Sequence, residues 1–249
     1  MRFRLSTLWL PEISDTIVMV ALVKDKYKRS ANTCDCFSCT ASNRWSLTIG
    51  WSFPKLASLF QMLLRTAYRA SFLPSLSYNV ILNKLDLRPW YNRVDDRVII
   101  GALPWLSSKD QLIEKENVRG VVSMNENFEL QWLRRWVASG DHWSESNVRF
   151  LQLQTQDIFE TPSQDKLRSG VDFILSTTED LGGSVYVHCK AGRTRSATLV
   201  CCYLMRRNNW SPEQAYELLA SKRPQLALHK PQWMALRQYY EDNVAKIAE

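Results

Sequence analysis

The stretch VYVHCKAGRTRSATLV, residues 185–200, passes from a strand-like run into a helical one through a short polar loop. SVYVH (184–188) is β-branched and aromatic, and TRSATLVCCYLMRRN (194–208) reads as a helix. In an open α/β sheet, ligands bind beyond the carboxyl ends of strands and beside helix N-termini. Cys189 is the first residue of that loop, and Arg195 follows it in the pattern Cys-x5-Arg. The peptide N–H groups of Lys190, Ala191, Gly192, Arg193 and Thr194 can curl into a nest around an anion, reinforced by the helix dipole. Ala191 and Gly192 keep the loop lean enough for the backbone to come close. The same field lowers a thiol from ~8.5 toward the ~3.5–7.5 range of activated cysteines. The Arg195 guanidinium fork matches two phosphate oxygens, which lysine cannot do equally well. Ser196 can donate a hydrogen bond to the sulfur. His188 directly precedes Cys189, but neighbouring strand residues point to opposite faces, which argues against a Cys–His pair.

Upstream, strands and helices alternate from about residue 78. DRVIIGAL (96–103), VRGVVSMN (118–125) and VRFLQLQ (148–154) read as strands; SSKDQLIEKEN (107–117) and ELQWLRRWVAS (129–139) read as helices. Thr161 or Ser163 can cap a helix that Gly182-Gly183 ends. SPEQ (211–214) combines a serine cap, proline at the first helical position and glutamine at the capping-box position. A last helix runs from about Pro231 to Lys246. This alternation predicts an α/β fold with a mostly parallel central sheet flanked by helices. The predicted organisation is an N-terminal extension, 1–77, and a catalytic domain, 78–249.

The extension is less regular. No acidic residue falls between Asp35 and Asp86, while Leu56, Leu59, Phe60, Leu63 and Ala67 recur at helical spacing. An acid-poor, Arg- and Ser-bearing amphipathic segment is the description of a mitochondrial transit sequence, although this one starts some way into the chain. A surface helix packed on the domain is the alternative. The longest apolar run, TIVMVALV (16–23), is far short of a transmembrane helix.

The formal charge of +7 favours anionic partners, and nucleic acid has no other support in the sequence. Six cysteines in 249 residues do not form a disulfide framework. CDCFSC (34–39) lacks a fourth ligand for structural zinc, so neither a metal nor a cofactor is expected. Lys222 and Arg223 read as a solvated helix end or as a contact to an acidic membrane. Trp210, Trp233, Tyr239 and Tyr240 read as packing aromatics.

Attack of a thiolate on phosphorus expels an alkoxide or phenoxide, so a carboxylic acid must stand in line with the leaving oxygen. QTQDIFETPS, after the strand VRFLQL, offers Asp157 and Glu160.

His-Cys-x5-Arg-Ser resembles the signature of the cysteine-dependent protein tyrosine phosphatase superfamily. VIIGALP, ENVRGVVSMN, VYVHCKAGRTRSAT and WSPEQAYELL resemble its small dual-specificity branch. Together they are similar to the mitochondrial phosphatases of phosphatidylglycerophosphate, over about residues 78–249. The resemblance implies a dual-specificity phosphatase-like fold and metal-independent hydrolysis through a phosphocysteine. It implies Cys189 as nucleophile, Arg195 as phosphate ligand, Asp157 as proton donor, Ser196 as hydrogen-bond donor to the sulfur and His188 as a support of the loop. The implied product is phosphatidylglycerol, on the way to cardiolipin. The implied setting is the matrix face of the mitochondrial inner membrane, reached as a monomer from the membrane surface. A protein phosphatase acting on phosphotyrosine, phosphoserine and phosphothreonine would share every catalytic residue. Lys190 and Arg193 give the loop three cations with Arg195, matching the lipid phosphatases of the superfamily; either of the two side chains could instead face solvent. Where the family reads Glu-Glu-Tyr-Glu, this chain has Glu126-Asn127-Phe128-Glu129, which keeps Glu126 and Phe128 as wall residues.

Overall fold

A computed structural model describes residues 53–157 and 160–245. The chain divides into two units, 1–53 and 54–249. The CDCFSC cluster and the run 16–23 lie outside the described residues.

The second unit opens with a long helix, α1 (Phe53–Lys84), free of glycine and carboxylates. The boundary drawn at 77/78 therefore falls inside one continuous helix. Leu63 and Ala67 of the expected apolar stripe are exposed, and the buried stripe is Tyr68, Phe72, Leu76 and Asn79. These residues, spaced four, four and three apart, lie on one face of a helix. Tyr68, Phe72 and Leu76 pack on Leu103, Phe128, Leu133 and Val137 of the α/β body.

Five strands follow: β1 (Tyr91–Arg93), β2 (Val98–Gly101), β3 (Val118–Ser123), β4 (Arg149–Gln152) and β5 (Ser184–His188). Their order in the sheet is β1-β2-β5-β3-β4, antiparallel at the β1 edge and parallel elsewhere. The fold is thus the expected α/β sheet, with β1 as an antiparallel edge the sequence did not announce.

Alternation along the strands builds two cores. Val98, Ile100, Val122, Val185 and Val187 face α5 (Gln164–Leu181), α6 (Arg195–Asn208), α7 (Pro212–Lys222) and α8 (Lys230–Asn243). Tyr239 is buried there, with Trp233 and Tyr240 packed against it, as their aromatic character suggested. Ile99, Val121 and Tyr186 face the other way, onto Leu112 of α2 (Lys109–Glu114) and Trp143 of α4 (Gly140–Ser144). Ser163 caps α5 by accepting the Lys166 N–H, and Ser211 and Gln214 form the expected capping box on α7.

The helix expected over 129–139 is shorter. α3 (Asn127–Trp132) stops because the next backbone is used elsewhere. Leu106 N–H donates to the Trp136 carbonyl at 2.7 Å, Ala138 N–H donates to the Pro104 carbonyl at 3.1 Å, and Trp105 bridges Val137.

Candidate active site

β5 sits between β2 and β3, so its carboxyl end delivers Cys189 to the middle of the sheet rim, where α6 begins. The loop turns back at Gly192, whose φ of +64° suits glycine. A Cβ there would lie 2.5 Å from the Gly101 carbonyl oxygen and 2.8 Å from Arg223 Nη2, so the position demands hydrogen.

Around the sulfur, donors converge. Gly192 N–H donates to Cys189 Sγ at 3.2 Å, and Ser196 Oγ lies 3.3 Å from it. Burial pushes the thiol up, but the Arg195 charge, with the Ser196 hydroxyl and amide, outweighs both burial and the opposing Asp157 carboxylate. The net result holds Cys189 below the ordinary cysteine value. Cys201 and Cys202, equally buried but without a cation, are pushed the opposite way, Cys201 to about 12. Among the three, only Cys189 is shifted in the direction that favours a thiolate.

Arg195, 1% exposed, is held by a fork-to-fork pair with the fully buried Glu129: Nη1 to Oε2 at 2.8 Å and Nη2 to Oε1 at 3.1 Å. Nη1 also donates to the carbonyls of Thr155 (2.9 Å) and Met124 (3.2 Å). Burial opposes its charge, and the Asp157 and Glu129 carboxylates restore it. Glu129 is itself fixed, since its Oε2 accepts the Glu126 N–H at 2.8 Å in the capping box of α3. Sequence reasoning kept Glu126 and Phe128 as walls and missed Glu129 as the residue that orients Arg195.

Asp157 lies beside the loop. Its Oδ2 pairs with Lys190 Nζ at 2.7 Å, and its Oδ1 lies 3.3 Å from Arg195 Nε. The nearby Glu160 points elsewhere, bonding the Gln156 N–H and Lys166 Nζ. Tyr68 of α1 ties this loop to the site wall: its hydroxyl donates to Glu126 Oε2 at 2.9 Å and accepts the Asp157 N–H at 3.2 Å.

The loop cations separate. Lys190 is buried, its ammonium 5.9 Å from the Phe72 ring centre and paired with Asp157. Arg193 turns its Nε to the Gln225 carbonyl (2.8 Å), and Thr194 Oγ1 donates to the Ala227 carbonyl (2.8 Å), so both anchor the loop to the segment after α7. Ala191 offers its carbonyl to Arg223 Nη2 at 3.1 Å.

Arg223 corrects the expectation of a solvated or membrane-facing side chain. It is 1% exposed, and its Nε donates to the Gly192 carbonyl at 2.7 Å. Its Nη1 donates to Asn92 Oδ1. Burial lowers its pKa to about 10, leaving it charged at neutral pH as an internal brace of the phosphate loop.

His188 is fully buried, and burial pushes its pKa down to about 3, with the Cys189 backbone opposing that shift and Arg195 adding to it. The imidazole is therefore neutral. Its ring lies 5.8 Å from that of Tyr186, on the sheet face away from the Val187 side. Neither ring nitrogen meets strict hydrogen-bond geometry with a described residue, although the Cys189 backbone lies close enough to act on the ring.

The assembled groups can hold a phosphate dianion, attack its phosphorus with sulfur and pass a proton to a departing oxygen. Among the described residues no cluster of His, Cys, Asp and Glu could hold a metal.

Residues 105–242 match the family "Dual specificity phosphatase, catalytic domain". Human "Phosphatidylglycerophosphatase and protein-tyrosine phosphatase 1" is 40% identical over 184 residues, covering 73% of this chain and 90% of that protein. The Arabidopsis thaliana protein "Phosphatidylglycerophosphate phosphatase PTPMT1" is 38% identical over 177 residues, covering 71% of this chain and half of its own. Among solved structures, "Crystal Structure of PTPMT1 in complex with PI(5)P" superposes with a TM-score of 0.60 at 39% identity, over 64% of this chain and 99% of that one.

Proposed function

The chain belongs to the dual-specificity phosphatase family, and from that premise we propose that it hydrolyses phosphatidylglycerophosphate to phosphatidylglycerol through a phosphocysteine. One observation carries the chemistry: a buried thiol held low by a buried guanidinium, with a carboxylic acid side chain bridging two loop cations beside it. The names of the relatives supply the lipid, and the superposed structure is that of a protein in complex with PI(5)P.

The non-bridging phosphate oxygens take the loop amides and the Arg195 fork, and Cys189 Sγ attacks phosphorus in line with the ester oxygen. As the P–O bond breaks, Asp157 gives its proton to the departing alkoxide. Water then attacks the phosphocysteine, its proton returns to Asp157, and the P–S bond breaks with the Ser196 hydroxyl stabilising the thiolate. In the free protein Asp157 is paired with Lys190 and lies beside Arg195. An incoming phosphate dianion competes for Lys190 and Arg195 and so frees Asp157 to carry a proton. Residues 78–249 act as the catalytic domain, with the part of α1 before residue 78 packed on it. Lys190 and Arg193 suit a substrate that carries a phosphodiester besides the monoester. The protein works as a monomer on a membrane surface, at the matrix face of the mitochondrial inner membrane, where the product feeds cardiolipin synthesis. No described helix is long and apolar enough to cross a membrane.

The test is a substrate panel on the full chain, with Cys189→Ser as blank: phosphatidylglycerophosphate, phosphoinositides and phosphopeptides. Fastest turnover of phosphatidylglycerophosphate is the expected result. Much faster turnover of phosphopeptides would make this a protein phosphatase.

A further inference from the structure

An open, apolar groove of about 750 Å³ lies between α1 and the segment after α3. Leu73, Ile81 and Trp136 line it and are 46%, 55% and 60% exposed, and no carboxylate lines it. Trp132, four residues before Trp136, is 47% exposed. Between the tryptophans lie Arg134 and Arg135, both exposed, in the run Trp-Leu-Arg-Arg-Trp. On α1, Arg65 and Arg69 are exposed as well, on a helix without a single acid.

We propose that this face, Trp132 to Trp136 with the Leu73–Ile81 flank of α1, is the docking surface for an anionic lipid bilayer. The inference deepens the lipid-phosphatase reading and rests on it. Exposed tryptophan suits the bilayer interface because its ring is apolar while its N–H stays hydrated. Arginines interleaved with it meet lipid phosphates at the same depth, and their charge disfavours pairing of this face with a second copy of itself. The face is also continuous with the catalytic wall. The Trp132 ring packs edge-on against Phe72 and Phe128, at 6.2 and 5.5 Å between centres. Phe72 is the ring beneath the Lys190 ammonium, and Glu129, which clamps Arg195, lies one turn before Leu133. A bilayer seated on these tryptophans would present headgroups beside the phosphate loop, so the substrate would not have to leave the membrane. A chain of this kind gains most from docking when its substrate is confined to a surface.

The test uses the full chain and two double variants: Trp136→Ser with Ile81→Ser, and Arg134→Gln with Arg135→Gln. Binding is read by co-sedimentation with vesicles of phosphatidylcholine and phosphatidylglycerol in equal parts. Turnover is read on long-chain phosphatidylglycerophosphate in those vesicles and on a short-chain, freely dispersed form. Removing two surface arginines should weaken vesicle binding about thirtyfold, about fivefold for each. Removing the two apolar side chains should weaken it at least about tenfold. Vesicle turnover should fall with binding, while turnover of the dispersed form stays at the wild-type rate. Wild-type vesicle binding and turnover in both variants would overturn the proposal. If the wild type hydrolyses neither lipid form, the substrate assignment fails, and co-sedimentation still judges the docking face by itself.

Discussion

Glu129→Gln is the perturbation that most sharply separates positioning of Arg195 from its charge. The carboxylate is fully buried and accepts two Arg195 N–H bonds, at 2.8 and 3.1 Å, besides the Glu126 N–H. The amide keeps one acceptor oxygen but turns an NH2 toward a guanidinium that can only donate. One charge-assisted bond is lost, worth about 1.5–3 kcal/mol, and the other becomes a neutral one. Removing one partner of a buried pair costs about 3–5 kcal/mol in full, and the partial retention here places the loss near 3 kcal/mol. Urea unfolding should show that loss. Arg195 remains charged and near Cys189, so the pH at which the thiol reacts with iodoacetamide should not rise. The fork should no longer be aimed at the phosphate, and kcat/KM for an aryl phosphate should fall about a hundredfold. If kcat/KM is unchanged while stability drops, Glu129 is only a structural counterion. If the thiol inflection climbs with the loss of activity, the guanidinium has moved away altogether, and the account of separate roles is wrong.

Alkylation of the wild type should inflect below the ordinary cysteine value, and Arg195→Met should move the inflection upward; an unmoved profile would assign the activation to the loop amides. Asp157→Ala should slow alkyl phosphates more than aryl phosphates, since phenoxide leaves without full protonation. Equal losses on both would point to another acid. His188 is neutral in the fold with a pKa of about 3, against about 6.5 for the unfolded chain. Between those values the unfolded state binds the extra proton, so its contribution to stability is complete above about pH 6.5 and declines below it, by up to about 1.4 kcal/mol per pH unit. His188→Asn should flatten that part of a stability–pH curve measured by urea titration, and an unchanged slope would place the proton elsewhere.

What could be read from the chain was what the chain holds close together. Cys189, Gly192, Arg195 and Ser196 span eight residues, and a strand followed by a helix fixes their geometry almost regardless of context. Glu129 was hidden because it acts across 66 residues, and a glutamate at a capping position looks like any first-turn acid until it is found buried. Its signal was the Glu-x-x-Glu spacing at the end of β3. Arg223 was misread for the same reason: a basic residue after a helix is usually solvated, and only the fold brings the Gly192 carbonyl to it. Residues 129–139 have helical patterning throughout, but the competing bonds to Pro104 and Leu106 are tertiary and leave no local trace. In α1 the apolar pattern was followed along 56–67, one stripe away from Tyr68, Phe72 and Leu76, because nothing in the helix says which apolar stripe meets the body.

The central claim is a covalent bond between Cys189 and phosphorus. It is tested most directly by acid-quenching Asp157→Ala during turnover of an aryl phosphate and locating the adduct by peptide mass spectrometry. Asp157→Ala removes the base that hydrolyses the intermediate, while a good leaving group still lets it form. The account predicts a phosphate adduct on the peptide bearing Cys189, none on the peptide bearing Cys201 and Cys202, and no turnover by Cys189→Ser. Turnover by Cys189→Ser, or an adduct on any other residue, would contradict it.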